Sequence, residues 1–282
     1  MHRYEVVDVF TEAPLQGNPV AVFTDAADLS PEVMQRTARE MNLSESVFVV
    51  GGPDAADGHD AHIRIFTPAT ELPFAGHPVL GTAIIIGAAR HLSLVRLKTA
   101  AGVIPIALSR ERDRIVYGEM EQPIPEFELF ERADELLAAV GVEGSELPVM
   151  ACRNGLTHVY VALGSEDAVA ALDPDLTALR KLGAVGVSCF AGGGQRFKTR
   201  MFGPGVGVAE DPATGSAAGP LAVHLARHGL IEYGRPIQIR QGEEIGRPSV
   251  LHARADGSDK RIERVVVGGA AVVVAHGEYR LD

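Results

Sequence analysis

Two segments of this chain have helical composition but almost no polar face. "HPVLGTAIIIGAAR", from His77, and "SAAGPLAVHLAR", from Ser216, are apolar nearly all round. Such a helix cannot rest on one face of a sheet and has to be enclosed. Each is introduced by the same signature. "RIFTPATELPFAGHP" carries Arg64, Phe66, Pro68, Glu71, Pro73 and Gly76, and "RMFGPGVGVAEDPATGS" carries Arg200, Phe202, Pro204, Glu210, Pro212 and Gly215. Both read R-x-F-x-P, a short loop, E-x-P-x-x-G, then the apolar helix ending in "ARH"; the loop is three residues longer in the second copy. Coincidence among common small residues is the competing explanation. Six matched positions in order, followed by the same unusual helix, favour a duplication. The expectation is an α+β protein of two pseudo-symmetric domains. Each is a rolled, mostly antiparallel set of strands around a central apolar helix.

The rest of the chain supplies strands for that purpose. Short β-branched runs recur ("YEVVDVF", "SVFVV", "HIRIF", "THVYVAL", "PIQIR", "RIERVVV"), several alternating with period two. Turn signals such as "QGNP", "GGPDAADG", "ADGSD" and Arg153-Asn154-Gly155 separate them. Ser30-Pro31 reads as an N-cap with proline at the first helical position, opening a helix to about Asn42. "RADELLAAVG" and "DPDLTALRKLG" read as amphipathic helices closed by glycine. "EQPIPEFE", Glu121 to Glu128, is the expected linker. It gives domains of 1–122 and 123–282, with the final strand able to pack back on the first and the active site in the cleft between them.

With 282 residues, 46% of them hydrophobic and 22% charged, the chain can build a substantial core. A net charge of −11 with no basic run argues against nucleic acid or an anionic membrane as partner. "GTAIIIGAA" and "VVVGGAAVVVA" are too short and glycine-rich to span a bilayer as helices. The two cysteines, Cys152 and Cys189, form no C-x-x-C pair, so a reduced, cytoplasmic protein is expected.

If the domains face each other, the two helix N-termini point into shared space. Each then offers free backbone amides and a positive dipole end suited to a carboxylate. Gly76 and Gly215 permit close approach, and His77 and Ser216 follow them. Asp211 precedes the second helix. These residues read equally as a loop histidine, an N-cap and a turn former. Glu45, in "MNLSESVFVV", enters an apolar strand: it sits at an exposed edge, or in a cleft where burial raises its pKa toward that of a group that takes and returns protons. "HLARH" lacks the acid of a zinc helix, so core or capping roles are expected for His224 and His228. His59 and His62 are expected in a solvated loop. "AGGGQRF" is neither a P-loop nor a dinucleotide fingerprint. No metal or cofactor site is supported.

"VDVFTEAPLQGNPVAVF", "NLSES", "ELPFAGHPVLGTA", "SCFAG" and "EDPATGSAAGPLAVHLARHG" together resemble the PhzF phenazine-biosynthesis family over nearly the whole chain. The resemblance implies a diaminopimelate epimerase-like fold, a homodimer and no cofactor or metal. It implies isomerisation of trans-2,3-dihydro-3-hydroxyanthranilate to its ketone isomer. It places the general acid/base on Glu45, essential roles on His77, Asp211 and Ser216, and substrate contacts on Ser44, Gly76, Gly215 and Ser216. Two-thiol epimerases of the wider superfamily carry a cysteine before each helix glycine. Here those places hold Ala75 and Thr214, so a single carboxyl moving a proton from C3 to C1 is the implied chemistry. An isomerase or epimerase of another small amino or hydroxy acid, and a non-catalytic carboxylate-binding protein, are the alternatives.

Overall fold

The computed structural model describes residues 1–154 and 156–281; Gly155 of the expected Arg153-Asn154-Gly155 turn lies outside the described residues. The chain divides into two compact units, Met1–Glu121 with Gly268–Asp282, and Gln122–Val267. The first stretch runs β1 (His2–Val9), β2 (Asn18–Phe23), α1 (Pro31–Met41), β3 (Glu45–Gly51), β4 (Ala61–Phe66), β5 (Glu71–Leu72), α2 (Gly76–Arg90), β6 (Leu94–Thr99), β7 (Gly102–Glu111) and β8 (Arg114–Gln122). Next come β9 (Glu126–Leu129), α3 (Ala133–Val140), β10 (Met150–Arg153), β11 (Thr157–Ala162), α4 (Glu166–Ala170), α5 (Leu176–Lys181), β12 (Val185–Gly193) and β13 (Arg196–Gly203). A 3-10 turn (Pro204–Val206) then leads to β14 (Val208–Asp211), α6 (Gly215–Arg227), β15 (Ile237–Gln241), β16 (Ser249–Ser258) and β17 (Arg261–Gly269). The chain returns to the first unit as β18 (Ala271–Tyr279), which pairs antiparallel along β1.

The two units repeat one pairing scheme. In the first, β1 pairs antiparallel with β2, β2 is parallel to β3, and β3 is antiparallel to β4. Strand β4 then takes β5 antiparallel and β6 parallel, and β6 continues antiparallel to β7. In the second, β10, β11, β12, β13, β14, β15 and β16 make the same pairings in the same order. Parallel neighbours need a crossover, and helices supply it. Helix α1 joins β2 to β3, and α4 and α5 join β11 to β12; α2 and α6 lead into β6 and β15.

Burial explains why α2 and α6 lack a polar face. From Gly76 to Gly87 every α2 residue is buried, as is every α6 residue from Gly215 to Ala226. Fully burying a side chain such as Leu80 or Leu225 stabilises by roughly 1.5–3 kcal/mol. The other helices cover outer faces. Met34 and Ala38 of α1 pack with Phe23, Phe48 and Phe66, while Leu136 and Val140 of α3 and Leu179 of α5 pack on Val159, Val187 and Phe202.

Helix ends follow local chemistry. Ser30 caps α1 through Val33 N–H, Pro31 opens it, and Asn42 closes it in a left-handed conformation. Helix α5 is shorter than the "DPDLTALRKLG" pattern because Asp175 is its cap, accepting from the Thr177 and Ala178 amides. Three expectations need correction. The Glu121–Glu128 linker is mostly strand: prolines interrupt the ladder only at 123–125, and the alternating "EFEL" forms β9 against β10. His62 lies in β4, not in a loop, and His59 is buried. Asp54 accepts from the Ala56 and Asp57 amides and its backbone bridges to His59, folding that loop back on itself.

The duplicated signature builds the same device twice. Arg64 donates from Nε and Nη2 to Glu71 at 2.8 and 2.6 Å, with its guanidinium 5.2 Å from the Phe66 ring centroid. Arg200 donates likewise to Glu210, at 2.8 and 2.8 Å, and lies 5.0 Å from the Phe202 ring. The copies differ in depth. Side-chain exposures are 26% and 39% for the first pair and 9% and 12% for the second, where Arg200 also donates to the Leu172 and Ala170 carbonyls. Removing one member of a buried pair strands the other, which costs about 3–5 kcal/mol, whereas a more exposed pair contributes about 1 kcal/mol or less. Urea denaturation should therefore show Arg200→Ala to be several-fold more destabilising than Arg64→Ala.

Candidate active site

In the first unit, Glu45 opens β3 opposite Val20 of the parallel neighbour β2, which brings it beside the first turn of α2. Its side chain is 13% exposed, and Oε2 lies 3.4 Å from Nε2 of His77, the second residue of that helix. Glu45 is therefore not at an exposed edge. His77 is buried, and burial pushes its imidazole down to about 3, with the Pro19 carbonyl opposing the shift. The ring is therefore neutral at ordinary pH. Buried Asn18 lies with Nδ2 3.1 Å from Nδ1 of the ring, and Nε2 is the nitrogen that faces Glu45. Glu45 thus has a polar neighbour that brings no charge.

Ser44 is half-buried in the bend just before β3. Ala75, the N-cap of α2, offers no side-chain cap, and Pro78 has no N–H to give. Among the described residues no protein acceptor takes the Gly76 and His77 amides of this helix end.

In the second unit the turn before α6 is held by Gln241. Its Nε2 donates to the Asp211 carbonyl at 2.7 Å and to Thr214 Oγ1 at 2.9 Å. Its Oε1 accepts from Thr214 N–H at 3.2 Å and from the Thr199 hydroxyl at 3.0 Å. Thr214 in turn donates to the Asp211 carboxylate at 2.7 Å. All these groups are buried. Gly242, with φ of 78°, backs onto this turn, and a Cβ there would lie 2.6 Å from the Pro212 carbonyl. Asp211 is thus tied into the turn. Ser216 is not the N-cap of α6: Thr214 is, and Ser216 is the second helical residue, its hydroxyl 3.0 Å from His158 Nε2.

Pro220 inside α6 explains another set of bonds. It lacks the N–H that would reach the Ser216 carbonyl, and its ring crowds the carbonyls of the first turn. Side chains supply the missing donors. Gln122 reaches the Gly215 carbonyl at 2.8 Å, Asn154 the Ser216 carbonyl at 3.0 Å, and Tyr160 the Ala217 carbonyl at 2.8 Å. The Ala217 amide turns back to Thr214. Among the described residues, no protein acceptor takes the Gly215 and Ser216 amides, so this helix end is a ready site for an anion.

The structure brings Glu45 and His77 together in one unit, and Asp211, Gly215 and Ser216 together in the other. Reading the sequence missed Asn18, Gln122, Asn154, His158, Tyr160 and Gln241. His158 and Tyr160 carried a usable signal: two steps apart in an alternating strand, they place polar atoms on one face among valines. His224 stacks on Tyr160, and both cysteines are free and buried, with burial pushing the Cys152 thiol well up and that of Cys189 to about 12. Among the described residues no cluster of three metal-ligating side chains occurs, and no helix is long and apolar enough to cross a membrane.

Comparison with known proteins places this geometry. The family model described as phenazine biosynthesis-like protein (PhzC-PhzF) matches residues 7–277. The chain is 55% identical over 281 residues, covering 100% of both sequences, to the trans-2,3-dihydro-3-hydroxyanthranilate isomerase of Pseudomonas aeruginosa. It is 52% identical to the Pseudomonas fluorescens protein of that name, covering 98% of this chain and 99% of the other. Among solved structures, a Pseudomonas aeruginosa protein described as a predicted epimerase superposes with a TM-score of 0.84 at 33% identity, covering 99% of each chain.

Three buried imidazoles couple stability to pH. Burial holds His77 near 3, and His158 and His224 near 4, whereas the unfolded chain takes up these protons near 6.5. Above that value the groups are neutral in both states and stability is at its plateau. As pH falls below it, the unfolded chain binds protons that the folded protein refuses, so stability is lost progressively toward pH 4. The slope approaches roughly 4 kcal/mol per pH unit with all three engaged. Urea midpoints between pH 7.5 and 5 should fall steeply; a flat profile would show that these rings titrate normally.

Proposed function

The chain belongs to the PhzC-PhzF family of phenazine biosynthesis-like proteins, and we propose that it is an isomerase that converts trans-2,3-dihydro-3-hydroxyanthranilate to its ketone isomer. One observation carries the reading: a largely enclosed carboxyl, Glu45, stands beside the neutral His77 imidazole, and no thiol stands before either helix glycine. An epimerisation that needs an acid and a base on opposite faces is not served by this set. Moving a proton between two carbons on one face is.

In this reading the Glu45 carboxylate takes the C3 proton. The electron pair released enters the conjugated ring system, and C1 accepts the proton back from Glu45. The enol left at C3 then becomes the ketone, so no electrons or atoms are gained or lost. His77, neutral and 3.4 Å away, gives the carboxylate a polar neighbour without competing for the substrate proton. The Gly215 and Ser216 amides hold the substrate carboxylate, with Asp211, Ser44 and Gly76 completing the contacts. The side chains do the work without a metal or cofactor, in a cytoplasmic homodimer. Light scattering on the purified protein tests the dimer, and activity unchanged by a chelator tests the metal-free assignment.

Turnover in heavy water should place deuterium at C1 of the product, less whatever fraction returns internally. Glu45→Gln keeps size and hydrogen-bonding capacity but removes the proton carrier, and should lower kcat by at least about a thousandfold with KM changed far less. Normal turnover by that variant would overturn the assignment.

A further inference from the structure

The duplicated strand registers allow the two units to be compared residue by residue. In the first unit Phe66 lies opposite Ser46. One step back on β3 is Glu45, whose neighbour on the parallel strand is Val20. In the second unit Phe202, the repeat partner of Phe66, lies opposite Val187. One step back on β12 is Gly186, whose neighbour on the parallel strand is His158. Glu45 and Gly186 are therefore equivalent positions, as are Val20 and His158. The helix residue after the glycine is His77 in one copy and Ser216 in the other.

So the partner of the second helical residue comes from different strands in the two copies. In the first it is a carboxyl on β3; in the second it is an imidazole on β11, Nε2 of His158, 3.0 Å from Ser216 Oγ. The glycine at 186 makes that exchange possible. A Cβ there would lie 2.9 Å from His158 Nδ1 and 3.3 Å from Met201 Sδ, so the ring occupies space that any side chain at 186 would need.

Which atom donates across the His158–Ser216 contact decides what the hydroxyl can do. Burial pushes His158 down to about 4, so the ring is neutral and carries one proton. Nδ1 is buried and, among the described residues, has no hydrogen-bond partner. A proton there would be a buried N–H without an acceptor, a costlier defect than an unmatched lone pair. The proton accordingly sits on Nε2 and is donated to Ser216 Oγ. The hydroxyl's own proton must then point elsewhere, next to the two amides left open at the start of α6.

We propose that His158 is a positioning residue that fixes the Ser216 hydroxyl as an obligate hydrogen-bond donor. Together with the Gly215 and Ser216 amides it makes a three-donor set selective for a substrate carboxylate. The carboxylate part of this inference rests on the function proposed above; the tautomer part does not. His158 does not touch the reacting atoms and acts only through Ser216, with Gly186 keeping its place open.

Two measurements test it. Long-range proton–nitrogen correlation spectra of the unaltered, nitrogen-15-labelled protein should show His158 as the Nε2–H tautomer; the Nδ1–H tautomer would overturn the proposal. In the second, binding of 3-hydroxyanthranilate as a stable carboxylate probe is measured alongside turnover for His158→Phe, Ser216→Ala and the double variant. His158→Phe should raise probe Kd and KM about tenfold, with kcat moving less. Adding it to Ser216→Ala should then have almost no further effect, and His158→Gln, which restores an N–H donor, should recover most of the loss. Equal effects of His158→Phe with and without the serine would mean a merely structural role and overturn the proposal. Where His158→Phe does not fold, Gly186→Ala displaces the ring by its Cβ and serves in the same cycle. If the unaltered protein neither turns over the substrate nor binds the probe, the proposed function fails, and the tautomer alone decides the role of His158.

Discussion

Everything at the candidate site depends on how the first turns of two enclosed helices satisfy their backbone groups. A helix buried on all sides has no water for its terminal amides and carbonyls, so each group needs a partner from the protein or a ligand. In α6 the problem is sharpened by Pro220, which deprives the Ser216 carbonyl of its helical donor. Gln122, Asn154 and Tyr160 meet the carbonyls of this turn, while Gln241 fixes the loop that leads into it. Carbonyls are saturated and amides are left over. That imbalance gives the helix end its preference for an anion, and it follows from the packing before any substrate is considered.

The same reasoning explains why imidazoles here are neutral. His77 and His158 sit at helix N-termini, where a positive charge would oppose the dipole as well as lose its hydration. Burial therefore settles both as uncharged groups, and the lack of any partner at Nδ1 among the described residues leaves the single proton of His158 on Nε2. Each presents a ring nitrogen to an oxygen. In one copy the oxygen is a carboxylate and in the other a hydroxyl, which is how one duplicated frame comes to hold two different chemistries.

Much of the frame was legible because it is written in periodicity and in matched residues. The apolar helices announce themselves by having no polar side, and R-x-F-x-P with its glutamate marks the same ion pair and ring contact in both copies. The short pieces were not legible. Helix α4 has five residues and β5 two, too few for any period to emerge, and "EFEL" joins a ladder only because β10 lies alongside it. Likewise the two readings of Glu45 differ only in whether α2 covers that end of β3, a tertiary fact.

The supporting residues at the site were hidden for a related reason. Gln122, Asn154 and Gln241 are ordinary polar residues in strands or loops, and their roles come from satisfying groups up to 93 positions away in sequence. A local motif records which residues touch a ligand or turn the chain, but it does not record which distant side chain replaces a hydrogen bond that a proline removed. The proline does record it. Pro220 in the middle of a buried helix requires that some donor reach the Ser216 carbonyl, since a buried carbonyl without one is costly. Reading that requirement forward from "GSAAGPLAV" leads to the polar residues facing α6 and, through the Asn154 and Tyr160 bonds that hold this turn, to the wall on which His158 meets Ser216.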